Sequence, residues 1–258
     1  MNIVPTLRTG PFLLLLVVTS TLWAQVDPKT IFSRAVDQVL TNQMELSIHI
    51  STTESSGRTN EKAYDIMMGR FGEEDMMRMV MLEPERARGV TIVITKTPKE
   101  TGMIEVFTPS NGKVRKMKAT PENMERVGSS YILSDYSSKA LDDMQFTLEG
   151  EEEVEGNPCY ILNANEEEHE DGMKARFIIE KNNYQIREIQ ILDEESNPTS
   201  VTRLSEYRPV EGLQGKMQPT HILTENLKEK TVTKMQITKV KHRPDLKKEE
   251  FILQQVTE

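Results

Sequence analysis

Cysteine is almost missing from this chain: Cys159 stands alone, so no internal disulfide can form. Positive charge is also in short supply. Lys and Arg number 32 against 41 Asp and Glu, a formal net charge of −9, which argues against nucleic acid as a partner because that binding needs a basic face to displace counterions. Histidine is sparse and scattered. His49, His169, His221 and His242 sit in unrelated contexts, and Ser134, Asp135, Asp142 and Asp143 have no neighbouring base that would make a serine a nucleophile. No catalytic constellation follows, so the chain is not expected to be an enzyme, and no cofactor motif is found. The acidic stretch Glu166–Asp171 holds His169 but lacks the spacing of a metal-ligand set and reads as a solvated hairpin tip.

Long apolar runs are confined to the start. Arg8, the apolar run Phe12–Val18 and Ala24 before Gln25 have the layout of a secretory signal peptide, too short to span a bilayer comfortably. Cleavage after Ala24 is expected, leaving residues 25–258 as one exported domain; an uncleaved anchor is the alternative. No cysteine lies near the cut for a lipid, so the mature chain is expected to be a soluble periplasmic protein. With one cysteine, an exported chain of this size must draw its stability from a broad sheet or core. Cys159 itself, at the start of an apolar strand, reads as a buried structural thiol rather than a reactive one.

What is present in quantity is alternation. Asp27-Pro28 and the apolar positions Ile31, Phe32, Ala35, Val36, Val39 and Leu40 predict one capped amphipathic helix. After Leu40 the period drops to two, beginning with Met44, Leu46, Ile48 and Ile50. About thirteen strands follow, mostly joined by short turns that imply antiparallel neighbours, with Asn111-Gly112 as a strong hairpin signal. Two short helices interrupt them, one from Thr120-Pro121 to about Arg126 and one over Ser137–Met144. Phe177 and Ile179 oppose Arg176 and Glu180, and Ile189 and Ile191 oppose Glu188 and Gln190, although Ile186 breaks that pattern. A long antiparallel sheet with one apolar face and few helices suggests a mainly β (α+β) fold. Its curved sheet would form an incomplete barrel around the helices, with an interior that they do not fill.

Several phrases in this order resemble the outer-membrane lipoprotein-sorting family, in a divergent LolA-like branch. They are Met76–Leu82 ending in Glu83-Pro84, Val106-Phe107-Thr108-Pro109 followed by Gly112–Met117, Ser134-Asp135-Tyr136-Ser137 with Asp142-Asp143, and Thr231–Met235 with Arg243-Pro244-Asp245 before Phe251. The branch's Trp-containing phrase before the proline reads Met103–Phe107 here, and the one tryptophan, Trp23, belongs to the signal segment. The resemblance runs from about Val26 to Gln255. It implies an incomplete antiparallel barrel whose interior takes acyl chains of lipoproteins or other lipids. It also implies an inner-membrane transporter that loads the carrier and an outer-membrane acceptor that receives the cargo. A lipid-sensing regulator of a membrane signalling partner is the alternative on the same fold.

Six methionines fall within residues 67–81, and Met77, Met79 and Met81 share one strand face, opposite Arg78 and Val80. Unbranched, polarizable side chains suit a surface that re-packs around varied acyl chains, and they suit a packed core equally. Met67, Met77, Met79, Met81 and Val106 are the candidate lipid-binding residues. Lys113, Arg115 and Lys116 form a basic strand that either meets anionic head groups or an acidic partner, or is simply solvated.

Overall fold

A computed structural model describes residues 26–39, 43–97, 100–127, 144–166 and 174–253. The signal segment, Leu40, residues 137–143 of the expected second central helix and residues 167–171 of the expected acidic tip lie outside them; Met144, expected to end that helix, instead opens a strand and is buried in the core. Helix α1 (Pro28–Val39) leads into strands β1 (Met44–Thr53), β2 (Thr59–Phe71), β3 (Glu74–Glu83), β4 (Thr91–Thr97), β5 (Glu100–Thr108) and β6 (Lys113–Lys118). Helix α2 (Pro121–Arg126) precedes β7 (Met144–Val154), β8 (Asn157–Glu166), β9 (Lys174–Glu180), β10 (Ile186–Leu192), β11 (Pro198–Pro209), β12 (Met217–Asn226) and β13 (Thr231–His242). Each expected strand is present, because the alternation of apolar residues and the turn residues between them specify both strand and boundary.

The thirteen strands form a single antiparallel sheet in the order β6-β5-β4-β3-β2-β1-β13-β12-β11-β10-β9-β8-β7. Strands β6 and β7 occupy its two ends, so over the described residues the sheet is open and not closed into a barrel. The hairpin signal holds at β5–β6, where Gly112 takes a left-handed φ of 63° that a side chain would strain.

Helix α1 starts as its sequence dictates: the Asp27 carboxylate accepts hydrogen bonds from the Thr30 backbone N–H at 2.9 Å and its hydroxyl at 2.8 Å. Its apolar stripe, Ile31, Phe32, Ala35 and Val36, is buried against Leu162, Phe177, Ile179, Ile189 and Leu204. Phe32 stacks on Phe146 and meets Phe177 edge-on, both at 4.6 Å between ring centroids. A second core on the same face spans β1–β6, β12 and β13; the two meet where Leu204 stands opposite Ile222. Met124 and Val127, at the end of α2, pack onto this second core. Both described helices therefore contact one side of the sheet, here called the helix face.

Ile186 breaks the sequence alternation because β10 bulges there. Ile186 pairs with Ile179 while Glu188 pairs with Ile178, so Arg187 is an extra residue and both Ile186 and Ile189 reach the helix face.

The opposite face is mostly charged. Arg203 lies 3.0 Å from Glu188 and 2.5 Å from Glu225, and Arg243 lies 2.6 Å from Glu45, which also pairs with Lys239. Glu180, only 5% exposed, is held by Arg187 at 2.6 Å. Cys159 is fully buried beside it, and burial pushes its thiol up, in keeping with a structural role.

Over β2–β4 this face is covered. The C-terminal segment folds back so that Leu246 and Phe251 bury Met76 and Val93, with Phe71 edge-on to Phe251 at 5.3 Å. The face opposite Met77, Met79 and Met81, although it carries Arg78, is thus locally a second apolar layer.

Candidate functional site

Strand register assembles the helix face from rows of side chains running across the sheet, because directly paired residues in an antiparallel ladder project to the same side. One row reads Val240, Leu46, Ile66, Met79, Ile92, Val106 and Arg115. The next reads His242, Met44, Met68, Met77, Ile94, Ile104 and Met117. A shorter row holds Ile237, Ile48, Tyr64 and Met81. Seven adjacent strands thus present a continuous apolar surface carrying five methionines, Met44, Met68, Met77, Met79 and Met117, in its two long rows.

Burial varies across the surface. Met77 and Met79 are 6% and 0% exposed, packed among Ile66, Ile92, Ile94 and Ile104. Met68, Met81, Val106 and Met117, which flank them on the same sheet face, and Met124 of α2 are only partly buried and pack against this cluster. A flexible thioether that is neither fully packed nor fully wet can re-pack around an apolar guest at little cost.

The structure brings four of the five sequence candidates together: Met77, Met79, Met81 and Val106 share the helix face. Met67 does not join them. It pairs with Glu45 and Arg78 and packs beneath Leu246 and Phe251 on the opposite side. Its neighbour Met68 occupies the helix face instead, as do Met117 and Met124. Alternation in β2, with Tyr64, Ile66 and Met68 at every second position, is the signal that singles out Met68 over Met67.

The basic trio also divides. Lys113 and Arg115 pair with Thr108 and Val106 on the helix face, at the edge of the sheet. Lys116 pairs with Glu105 on the other side and forms an ion pair with it at 2.5 Å. Charged side chains on an edge strand also discourage unwanted strand addition.

Polar groups bound the apolar surface at one end. Beyond Ile50, β1 presents Thr52, which stands in a row with Thr202, Thr224, Thr233 and Asn60. The hydroxyls of Thr52 and Thr233 are 3.1 Å apart and those of Thr202 and Thr224 are 3.0 Å apart. Lys62 lies on the same face, opposite Ile50. Among the described residues no group of three or more His, Cys, Asp or Glu is placed to hold a metal ion, and no helix is long and apolar enough to cross a membrane. The arrangement offers apolar burial bordered by hydroxyls and cations, the chemistry of a site for an amphiphile.

A family model described as "Uncharacterized protein" matches residues 73–258. Among solved structures, a DUF1329 family protein from Desulfovibrio piger is 20% identical, with a TM-score of 0.68 over 88% of this chain and 98% of the other. A candidate outer membrane lipoprotein-sorting protein domain from Vibrio parahaemolyticus is 12% identical, with a TM-score of 0.70 over 87% and 95%. A LolA superfamily protein from Nitrosomonas europaea is 16% identical, with a TM-score of 0.63 over 89% and 99%. At these identities the likeness is one of fold. No curated protein matches the chain.

Proposed function

We propose that this chain, which belongs to the family matched over residues 73–258, a divergent LolA-like family, is an exported carrier of acyl chains. The reading rests on the continuous apolar helix face, where the buried Met77 and Met79 are flanked by the partly buried Met68, Met81, Val106, Met117 and Met124. Each methylene left in water costs roughly 0.8 kcal/mol, so an acyl chain crossing the periplasm gains many kcal/mol from such a cover. The lipoprotein-sorting fold of the Vibrio and Nitrosomonas structures supports the same reading. The signal-like segment at Arg8–Ala24 supports export to the periplasm.

In this reading the protein works by binding and not by catalysis. It takes the acyl chains of a lipoprotein or another lipid from an inner-membrane transporter and yields them to an outer-membrane acceptor, using only differences in affinity. Lys113 and Arg115, at the edge of the helix face, are the residues in position to meet an anionic head group or an acidic partner.

Lipid analysis of protein purified from its native periplasm, together with titration of the delipidated protein by a fluorescent fatty acid, tests the proposal. Co-purifying acyl lipid and saturable binding are expected. Delipidated, folded protein that binds no acyl probe contradicts it.

A further inference from the structure

Tyr64 is 2% exposed, and its hydroxyl is a buried oxygen with no hydrogen-bond partner. Two other described side-chain atoms share that condition, Gln43 Oε1 and Arg78 Nε. Both belong to the opposite face: Arg78 pairs with Met67, and Gln43 abuts Gly69, the partner of Met76. Tyr64 is therefore the one such group on the helix face among the described residues. Its row neighbours, Ile48, Ile237 and Met81, offer no side-chain acceptor, so the hydroxyl is desolvated without return.

The residue sits at a boundary. From Tyr64 towards Met68 the helix face is apolar for four residues of β2, roughly 14 Å at about 3.4 Å per residue. In the other direction come Lys62, which has no ion-pair partner among the described residues, and then the threonine row with Asn60. An acyl ester has the same profile: an aliphatic tail, one carbonyl that accepts but cannot donate, and a polar head. Burial pushes the Tyr64 hydroxyl up to about 12, so it remains protonated, and a donor, at any physiological pH.

We propose that Tyr64 reads the ester carbonyl of the bound acyl chain: its Oη donates a hydrogen bond to that oxygen, with the tail lying towards Met68 and Met117 and the head towards Lys62. This rests on the carrier reading above and adds a polarity and a specificity determinant to it.

The test compares wild type with Tyr64→Phe, using the mature protein and two pyrene-labelled probes, a hexadecanoic acid methyl ester and the matching methyl ether that lacks the carbonyl. The variant should melt no lower than wild type, because it loses an unpaired polar atom and keeps the ring. Its Kd for the ester should rise roughly three- to tenfold, the worth of one hydrogen bond, while its Kd for the ether stays unchanged. Equal weakening towards both probes, or no change towards either, overturns the inference and leaves the carrier reading standing. Failure of wild-type protein to bind either probe removes the carrier reading and this inference with it.

Discussion

Met76 and Met77 are neighbours in β3, yet they are buried on opposite faces of the sheet. Met76 packs with Leu246 and Phe251, and Met77 belongs to the core of the helix face. Their substitutions should separate stability from binding. Met76→Ala should cost about 2–5 kcal/mol in chemical denaturation while the folded fraction binds an acyl probe with unchanged affinity. Equal loss of affinity and stability would mean that the tail-covered face takes part in binding.

Met79 has no exposed surface, so Met79→Asp would place an unpaired charge in packed core. The variant should unfold or lose several kcal/mol, rather than persist as a folded protein that merely binds less lipid. Met81→Asp, at a partly buried position on the same face, should melt closer to wild type and lose acyl binding. Melting curves alongside probe titrations distinguish the two cases.

Glu180 is a carboxylate with little access to water, and Arg187 supplies two hydrogen bonds to its Oε2, at 2.6 and 2.9 Å. Removing one partner strands the other. Arg187→Ala should destabilise the protein by about 3–5 kcal/mol, and the double variant Glu180→Gln with Arg187→Met should recover most of that loss.

Acid should loosen the tail. Arg243 donates hydrogen bonds to both oxygens of Asp245 at 2.8 Å and holds its carboxyl down at about 2, below the ordinary 3.8. Because the folded value is the lower one, the contribution is complete above the ordinary value and disappears as pH falls through about 2. Glu45, lowered by Lys239 and then Arg243, shifts in the same direction. Protection factors for amide hydrogen exchange over Leu246–Phe251, corrected for the intrinsic pH dependence of exchange, should fall at that pH, and Asp245→Asn should show lowered protection already at neutral pH.

Much of this architecture is legible in the residues, and the exceptions have physical causes. Met44, Leu46, Ile48 and Ile50 announce β1 because one face is buried and the other is not. The placement of Ile186 is hidden because a one-residue bulge at Arg187 resets the alternation, and only the pairing register reveals a bulge. The cover on the opposite face is hidden for another reason. Leu246 stands alone in a charged tail and Phe251 opens only a three-residue apolar run, with no period to read. Grouping Met67 with Met77, Met79 and Met81 follows from proximity in sequence, whereas cross-strand register puts Met68 beside Met77. Tyr64 looks like an ordinary strand aromatic until its hydroxyl is found without a partner.

Photocrosslinking shows whether acyl chains lie on the helix face, among the methionines of β2, β3 and β6. A fatty acid carrying a diazirine near its terminal carbon would be bound to the delipidated protein, activated by light and mapped by peptide mass spectrometry. Adducts are expected on the peptides that carry Met68, Met81, Val106, Met117 and Met124. Adducts confined to the opposite face, at Met67, Arg78 or the Leu246–Phe251 segment, would contradict this placement.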